Sequence, residues 1–352
     1  MVGVSDPTRM VGVSDPTRMV GVSDPTRMVG VSQPHAGAHL DSSRTREILR
    51  RLELDITRRL DGILHGDHQG LVPGHGSEPG EARGYQAGDD VRRIDWNVSA
   101  RSQNLHVRDT VADRELECWI IADRSASLGF GTADIDKSDL ALAAAGAVGF
   151  LAARGGNRVG AVISTGSGAT APITVPPRQG RSHVLGILSR LPDASDQSAT
   201  DLGPLLHHAS VVIRRRGMVA VVSDFLDAPG TWANDLARLG VRQQVLAIEV
   251  VDPRELELPG VGMLTLIDTE TGRTREINTS SASLRARYAE AAAEQRSEIA
   301  RAIRRSGADH IVLRTDHDWL GTLARHLTSA RRRRTAGAVR VGAVGAGRGG
   351  IR

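Results

Sequence analysis

The sequence predicts a doubly wound α/β domain with a mainly parallel sheet, preceded by a small N-terminal element with a helix and short strands. Two segments, CWIIAD at 118–123 and MVAVVSD at 218–224, are nearly continuous apolar runs. Such runs are typical of parallel strands that are buried on both faces. They alternate with segments whose apolar residues recur at helical spacing, and this alternation indicates strands covered by helices on both sides.

The first element in chain order is an amphipathic helix at 42–64, with Ser43 as a plausible N-cap. The Gly-, Pro- and His-rich stretch 65–88 predicts a loop with short strands, and 105–107 predicts a further strand. A hairpin is expected around Thr271 and Gly272. The other predicted strands are 116–122, 158–164, 172–175, 218–223, 244–250 and 310–313. The other predicted helices are 137–153, 181–191, 201–214, 232–239, 281–305 and 319–327.

Both ends of the chain differ in composition from its middle. The first 27 residues are three copies of MVGVSDPTR, and a degenerate fourth copy follows, so translation could start at Met1, Met10, Met19 or Met28. A period this short, with Pro and no apolar face, predicts a disordered tail. The expected organisation is a repeat tail at 1–41, an N-terminal segment at 42–115, the α/β domain at 116–330 and an Arg-rich tail at 331–352.

Composition excludes several classes of protein. The pI of about 10.1 comes from the ends: without the seven arginines after position 330 and the charged residues of the repeats, 35 basic residues face 38 acidic ones. With two Tyr, three Phe and four Trp the chain has few platforms for base stacking, so we expect no specific nucleic-acid binding. The longest nearly uncharged stretch, 140–153, is shorter than the roughly 20 residues that a membrane span needs. A single cysteine, Cys118, fits a reducing cytoplasm and leaves only oxygen or imidazole to bind a metal.

A set of oxygen-bearing side chains follows the predicted strands. Asp123, Ser125 and Ser127 come after the first apolar run, Asp224 after the second, and Thr200 precedes a helix between them. Because ligands of such sheets bind at the carboxyl ends of the strands, we expect these five residues to share one edge. Carboxylates and hydroxyls without nitrogen or sulfur suit Mg²⁺ or Mn²⁺. Alternatively, the hydroxyls cap helices and the aspartates bond turn amides.

These five residues resemble the metal-ion-dependent adhesion site of von Willebrand factor A domains, whose pattern is D-x-S-x-S, then Thr, then Asp. The resemblance implies that Ser125, Ser127 and Thr200 reach the ion. It also implies that Asp123 and Asp224 act largely through water, and that an acidic side chain of a partner completes the coordination. Arg124 departs from the pattern, which usually has an apolar residue there, and a guanidinium near a cation lowers its affinity unless a carboxylate pairs with it.

A second resemblance covers more of the chain. The segment GYQAGDDVRRIDWNVSARSQNLHVR at 84–108 is similar to the signature of bacterial proteins called domain of unknown function 58, over roughly 52–327. The family usually has Arg-Glu-Tyr before its Gly-Asp pair, which is Gly88 and Asp89 here. This chain has Arg83, Gly84 and Tyr85 instead. Members of that family are commonly associated with MoxR-type AAA+ ATPases, which implies an adaptor in chaperone-like assembly.

The sequence therefore predicts a cytoplasmic, non-enzymatic interaction protein whose metal binds a partner carboxylate. A metal-dependent hydrolase that uses the same carboxylates, and a metal-free scaffold, remain as alternatives. The segment 131–138 resembles a phosphate-binding loop, but Asp136 replaces its second glycine, so we expect Lys137 to begin a helix instead. His65 and His68 lie in a Gly-rich stretch without helical spacing, which favours a surface loop over a metal pair.

Overall fold

The computed structural model describes residues 82–85, 94, 96–102, 104–108, 116–133, 135–165, 171–191, 201–267 and 274–329. The predicted tails, the predicted helix at 42–64, His65, His68 and the tip of the predicted hairpin lie outside these residues. Among the residues described, no helix has the length and apolar character needed to cross a membrane.

In the described residues, ten strands form one large and two small sheets. They are β1 (Ala82–Gly84), β2 (His106–Arg108), β3 (Glu117–Ala122), β4 (Arg158–Ile163), β5 (Ile173–Arg178), β6 (Gly217–Ser223), β7 (Gln244–Val251), β8 (Met263–Ile267), β9 (Thr274–Asn278) and β10 (Asp309–Arg314). The large sheet has the order β10-β7-β6-β3-β4-β5, in which only β5 is antiparallel to its neighbour. Counted along the chain, this is the order 3-2-1-4-5-6 of doubly wound domains. The predicted fold class is confirmed.

Seven helices accompany the strands within the described part of the chain. They are α1 (Trp96–Ser102), α2 (Lys137–Arg154), α3 (Arg181–Leu188), α4 (Leu202–Val212), α5 (Pro229–Arg242), α6 (Ala282–Arg305) and α7 (319–329). Pro229 occupies the first turn of α5, where a missing N–H costs no hydrogen bond. The side chain of Ser281 caps α6 by accepting a bond from the Leu284 N–H.

The helices cover both faces of the large sheet. Along β3 the side chains alternate: Cys118 and Ile120 belong to one buried cluster, and Trp119 and Ile121 belong to the other. The first cluster receives α2, α3 and α7, and the second receives α4, α5 and α6. Burial on both faces is the physical reason why apolar residues follow one another in β3 and β6 without polar alternation.

Two small sheets lie outside the doubly wound core. Strands β1 and β2 pair antiparallel, and β8 and β9 form the predicted hairpin. Leu264 and Leu266 of the hairpin pack with Phe130 and Tyr288 in a third, smaller cluster. Phe130 directly follows the predicted metal loop, so the hairpin packs close to that loop.

Most predicted elements are found with shifted ends. Strand β5 extends to Arg178 instead of residue 175, and α3 ends at Leu188 instead of residue 191. Helix α5 is longer at both ends than the predicted 232–239. The prediction contained no counterpart of α1 at 96–102, because seven residues rich in Ser and Asn carry too little apolar periodicity to indicate a helix. Lys137 begins α2, as predicted.

Candidate metal site

The site lies at the carboxyl edge, by which we mean the edge of the large sheet where its parallel strands end. Strands β3 and β6 are neighbours, with Ala122 opposite Val222. The Asp123 N–H donates to the Val222 carbonyl at 3.1 Å, so the pairing continues to the first residue after β3. The segments that begin at Asp123 and Ser223 therefore leave the sheet side by side.

The Asp123 carboxylate organises the loop after β3. Its Oδ1 accepts a hydrogen bond from the Ser125 N–H at 2.9 Å, a turn in which an aspartate bonds the amide two residues on. Its Oδ2 accepts bonds from the Ser125 hydroxyl at 3.1 Å and from the Ser223 hydroxyl at 2.8 Å. Asp123 thus joins the two strand ends and turns the Ser125 hydroxyl toward itself.

Ser127 extends this arrangement toward Asp224. A short 3-10 helix, Ala126–Gly129, places the Ser127 Oγ 2.9 Å from the Ser125 Oγ. Ser127 also hydrogen-bonds the Asp224 carboxylate, and this bond favours the charged form of Asp224. Asp123, Ser125, Ser127 and Asp224 are all buried. The structure therefore brings four of the five predicted site residues together, and Thr200 lies outside the residues described.

Asp123 is a buried carboxylate that makes no ion pair among the described residues. Burial raises the pKa of Asp123 to about 7, with a further contribution from the charge of Asp224 and a smaller one from Asp227. Hydrogen bonds from Ser223 and Ser125 oppose the shift without cancelling it. A carboxylate with such a pKa gains stability from a proton or a cation. The site is thus suited to positive charge.

Asp224 has a permanent cationic partner, which sequence analysis missed. The Lys137 Nζ lies 2.8 Å from Asp224 Oδ2 and 2.6 Å from Glu255 Oε1, and the lysine is fully buried. Burial alone would raise the pKa of Asp224, but the Lys137 ammonium outweighs it, and the net pKa is lowered. Burial likewise disfavours the charged lysine, yet the two carboxylates raise its pKa overall.

The charged network continues away from the strand ends to α6. The guanidinium of Arg296 donates to Glu255 Oε2 at 3.1 Å and to Glu249 Oε1 at 2.8 Å. It also donates to the backbone carbonyl of Asp224 at 3.2 Å. Glu249 Oε2 lies 2.6 Å from the His310 Nε2. We call Asp224, Lys137, Glu255, Arg296, Glu249 and His310 the buried charge network.

The sequence contained only faint signals for this network. Lys137 is the one lysine of the chain, and Glu249 is the single charge inside the apolar strand β7. A charged residue in an apolar segment is a signal of such a network, because a buried charge needs a partner. Nothing in their spacing relates Lys137 to Asp224 or Glu255, which are 87 and 118 residues away.

Other contacts fix the loops around the site. Asp252 accepts bonds from the Thr132 N–H at 2.8 Å and hydroxyl at 2.6 Å, and from the Thr315 hydroxyl at 3.1 Å. These bonds join the segments that follow β3, β7 and β10. The Leu202 N–H donates to Asp227 Oδ2 at 2.9 Å, so the start of α4 is held to the loop after β6. The backbone N–H of Arg124, the departure from the adhesion-site pattern, donates to the Ser164 hydroxyl at 2.8 Å.

Comparison with known proteins identifies the family. The model of the family described as "Protein of unknown function DUF58" matches residues 81–298, a narrower range than the predicted 52–327. The chain belongs to this family. Uncharacterized proteins from Mycobacterium tuberculosis and Mycobacterium bovis are 49% identical over 301 residues, covering 85% of this chain and 93% of theirs. Another uncharacterized protein, from Mycobacterium avium, is 43% identical over 166 residues, covering 46% of this chain and 97% of its own.

Solved structures were also matched. One of them is the crystal structure of the conserved hypothetical protein BatB from Bacteroides thetaiotaomicron. It is 12% identical, with a TM-score of 0.38, and the match covers 62% of this chain and 99% of that one.

Proposed function

We propose that the carboxyl edge binds a divalent cation, Mg²⁺ or Mn²⁺, and that the protein is a non-enzymatic adaptor whose ion binds a carboxylate of a partner protein. The observation that supports this most directly is the buried cluster of Asp123, Ser125, Ser127 and Asp224 at one edge. Its donors are all oxygens, the ligand type that these ions prefer. In addition, the raised pKa of Asp123 indicates that burial and the neighbouring Asp224 disfavour its charged form, which a bound cation would stabilise.

In this proposal the hydroxyls of Ser125, Ser127 and Thr200 contact the ion, and Asp123 and Asp224 act largely through water. The resemblance to the adhesion site of von Willebrand factor A domains suggests this division. It agrees with the bonds of the two aspartates, whose oxygens already accept hydrogen bonds from Ser125, Ser223 and Lys137. The hydroxyls of Ser125 and Ser127 turn toward each other and need only rotate their protons to offer lone pairs to an ion.

The coordination of the ion favours a carboxylate as the partner group. Lys137 lies between Asp224 and Glu255, and Arg296 lies between Glu255 and Glu249, so Asp224 shares its charge with a cation. In the proposed division the protein contacts the ion through neutral hydroxyls. A partner's acidic side chain adds a charged oxygen ligand of the type that Mg²⁺ prefers, and the low dielectric of the site strengthens the contact.

The identity of the partner rests on resemblance. Members of the DUF58 family are commonly associated with MoxR-type AAA+ ATPases, and we propose such an ATPase as the partner, with chaperone-like assembly in the cytoplasm as the process. The metal site then carries the contact, so that capture requires the ion.

Metal binding is tested first, on the purified chain. Mg²⁺ and Mn²⁺ are expected to raise the melting temperature of the wild type, since a ligand that binds only the folded state stabilises it. Asp123→Asn and the double variant Ser125→Ala/Ser127→Ala are expected to lose this shift. Ser189→Ala and Ser210→Ala are matched controls, because both hydroxyls are exposed and bond only a nearby backbone carbonyl. A shift that persists in the site variants, or is absent from the wild type, contradicts the metal site and favours the metal-free scaffold.

Partner capture is tested separately. Co-purification from the native cell with and without a chelator is expected to recover the ATPase only with the ion present, and Asp123→Asn is expected to abolish recovery. Recovery that is equal in all samples overturns the carboxylate contact even where metal binds. Turnover of phosphoesters or peptides with Mg²⁺ or Mn²⁺, lost in Asp123→Asn, would instead favour the hydrolase.

A further inference from the structure

The opposite edge of the large sheet is crowded with arginines. Here the parallel strands begin, the helices that precede them end, and the antiparallel β5 ends and leads to α3. We call this the basic edge. It carries nine arginines that are all exposed: Arg154, Arg178, Arg181, Arg214, Arg215, Arg216, Arg242, Arg304 and Arg305.

The stability of the helices explains only some of these residues. Arg154, Arg242, Arg304 and Arg305 occupy the last turns of their helices, where a cation compensates the partial negative charge of the helix end. Residues 214–216, however, follow α4 in the turn before β6. Arg181 lies in the first turn of α3, where the helix dipole disfavours a cation. The helix dipole therefore does not explain the positions of Arg181 and of the arginines at 214–216.

Local ion pairing does not neutralise the basic edge. The described turns that form it are 154–158, 178–181, 213–217, 242–244 and 304–309, and in them Asp309 is the single acid. Arg215 approaches the buried Glu117 at 3.7 Å, yet its side chain remains 71% exposed. Arg214 and Arg216 make no ion pair within the part of the chain that the structure describes. The edge therefore presents a concentrated positive charge to whatever lies against it.

The shape and composition of the edge favour a broad anionic surface. Its arginines extend from α3, beyond β5, to α6, beside β10, and five strand spacings alone amount to about 24 Å. Val241 is 80% exposed and Val211 is 58% exposed at the ends of α5 and α4, next to these arginines. The five turns contain no aromatic residue on which a base could stack. Exposed aliphatic side chains beside arginines suit the headgroup boundary of a bilayer, where the side chains gain hydrocarbon contact.

Helix α7 runs back from the carboxyl edge toward the basic edge. Helix α7 begins at 319, shortly after the carboxyl end of β10, and packs along the sheet with Leu320, Leu323 and Ala324. Its eleven residues span about 16 Å, most of the length of a strand. The chain at 329 is therefore directed toward the basic edge, and the sequence 331–352 contains seven arginines and no acid.

We propose that the basic edge is a docking surface for an anionic lipid bilayer. Its arginines approach the headgroup phosphates, and Val211 and Val241 enter the boundary with the acyl chains. The metal site, at the other end of the strands, then faces away from the bilayer and stays open to a partner. The proposal does not depend on whether that site binds metal.

The test measures co-sedimentation of the full chain with vesicles at physiological ionic strength. Binding is expected to vesicles of equal parts phosphatidylglycerol and phosphatidylcholine, and not to phosphatidylcholine alone. Each arginine near an anionic surface strengthens partitioning about fivefold, so Arg214→Gln/Arg216→Gln is expected to weaken it on the order of twentyfold. Arg275→Gln/Arg287→Gln is the matched control, with the same change of charge at exposed positions of β9 and the first half of α6. It is expected to bind as the wild type does.

Two further variants distinguish bilayer binding by the basic edge from DNA binding and from binding through the C-terminal sequence. Val241→Ser is expected to weaken vesicle binding severalfold and to leave any binding of duplex DNA unchanged. Arg331→Gln/Arg332→Gln/Arg333→Gln/Arg334→Gln measures the contribution of the C-terminal sequence. The proposal is overturned if the edge variant and its matched control bind equally, or if only the C-terminal variant loses binding. It is also overturned if the chain binds duplex DNA more tightly than vesicles through the same arginines.

Discussion

The two edges of the large sheet carry charge in opposite ways. At the carboxyl edge acidic side chains predominate and are buried, and the cations among them, Lys137 and Arg296, are held by two carboxylates each. At the basic edge the nine arginines are exposed to solvent. The charged side chains of the two edges differ in their exposure to solvent. A buried charge requires a partner because desolvation is costly, whereas a solvated charge does not. The carboxyl edge should therefore govern the stability of the fold, and the basic edge should contribute mainly to association.

The largest effect on stability is expected from Lys137→Met. The substitution keeps most of the side-chain volume but leaves Asp224 buried without its cation, and leaves Glu255 with Arg296 alone. Breaking one partner of a buried ion pair costs about 3–5 kcal/mol. Urea denaturation should show a loss of this size, while Arg215→Gln at the basic edge should stay within about 0.5 kcal/mol of the wild type. Similar losses in both variants would show that the two edges do not differ as described.

A double variant identifies the source of that loss. Lys137→Met combined with Asp224→Asn removes the carboxylate charge that lost its cation, so the double variant should have a higher free energy of unfolding than Lys137→Met alone. Simple addition of the two single losses would mean that Lys137 stabilises the protein through packing and not through its charge.

The second-largest expected effect is a dependence of stability on pH, which comes from Asp123. Its pKa is raised to about 7 in the folded protein, so folding favours the protonated form. The stabilisation is complete below the unfolded value near 4 and is lost as the pH rises to about 7 and beyond, by at most on the order of 4 kcal/mol. Without metal, the chain should therefore melt at a lower temperature at pH 8 than at pH 5.5.

Asp123→Asn serves as the control for this pH dependence. The amide is neutral at every pH, so the variant should lose most of the decline between pH 5.5 and pH 8. Added Mg²⁺ should restore stability to the wild type at pH 8 more than at pH 5.5, because a proton competes with the ion for Asp123. An equal decline in the wild type and the variant would assign the pH dependence to other groups.

The comparison also shows which features the sequence could predict. The strands were predictable because burial on both faces produces an apolar run, as in β3 and β6, and their ends placed Asp123 and Asp224 at one edge. Ser125 and Ser127 followed from their spacing to Asp123. The cationic partners were not predictable, because Lys137 and Arg296 reach the carboxylates from two helices across long stretches of sequence. Helical periodicity identifies the face that a residue occupies but not the side chain that it meets.

The basic edge was missed for another reason. The total charge directed attention to the ends of the chain, and the middle is slightly acidic when summed. The net charge does not show where the charged residues lie: the acidic ones lie where the parallel strands end, and the arginines lie where these strands begin. The turns 213–217 and 304–309 lie far apart in sequence, and only the strand order brings them to one side.

The smallest effect on stability is expected from Arg214→Gln/Arg216→Gln, and its size should depend on salt. The arginines of the basic edge repel one another, so removing two of them should raise the melting temperature slightly at low ionic strength. At high ionic strength the repulsion is screened and the difference should vanish. The stability lost in Lys137→Met should change little with salt, because the buried charge network is shielded from ions. Melting curves of both variants at two salt concentrations check this, and a salt dependence as steep for Lys137→Met as for the arginine pair would mean that water and ions reach the network.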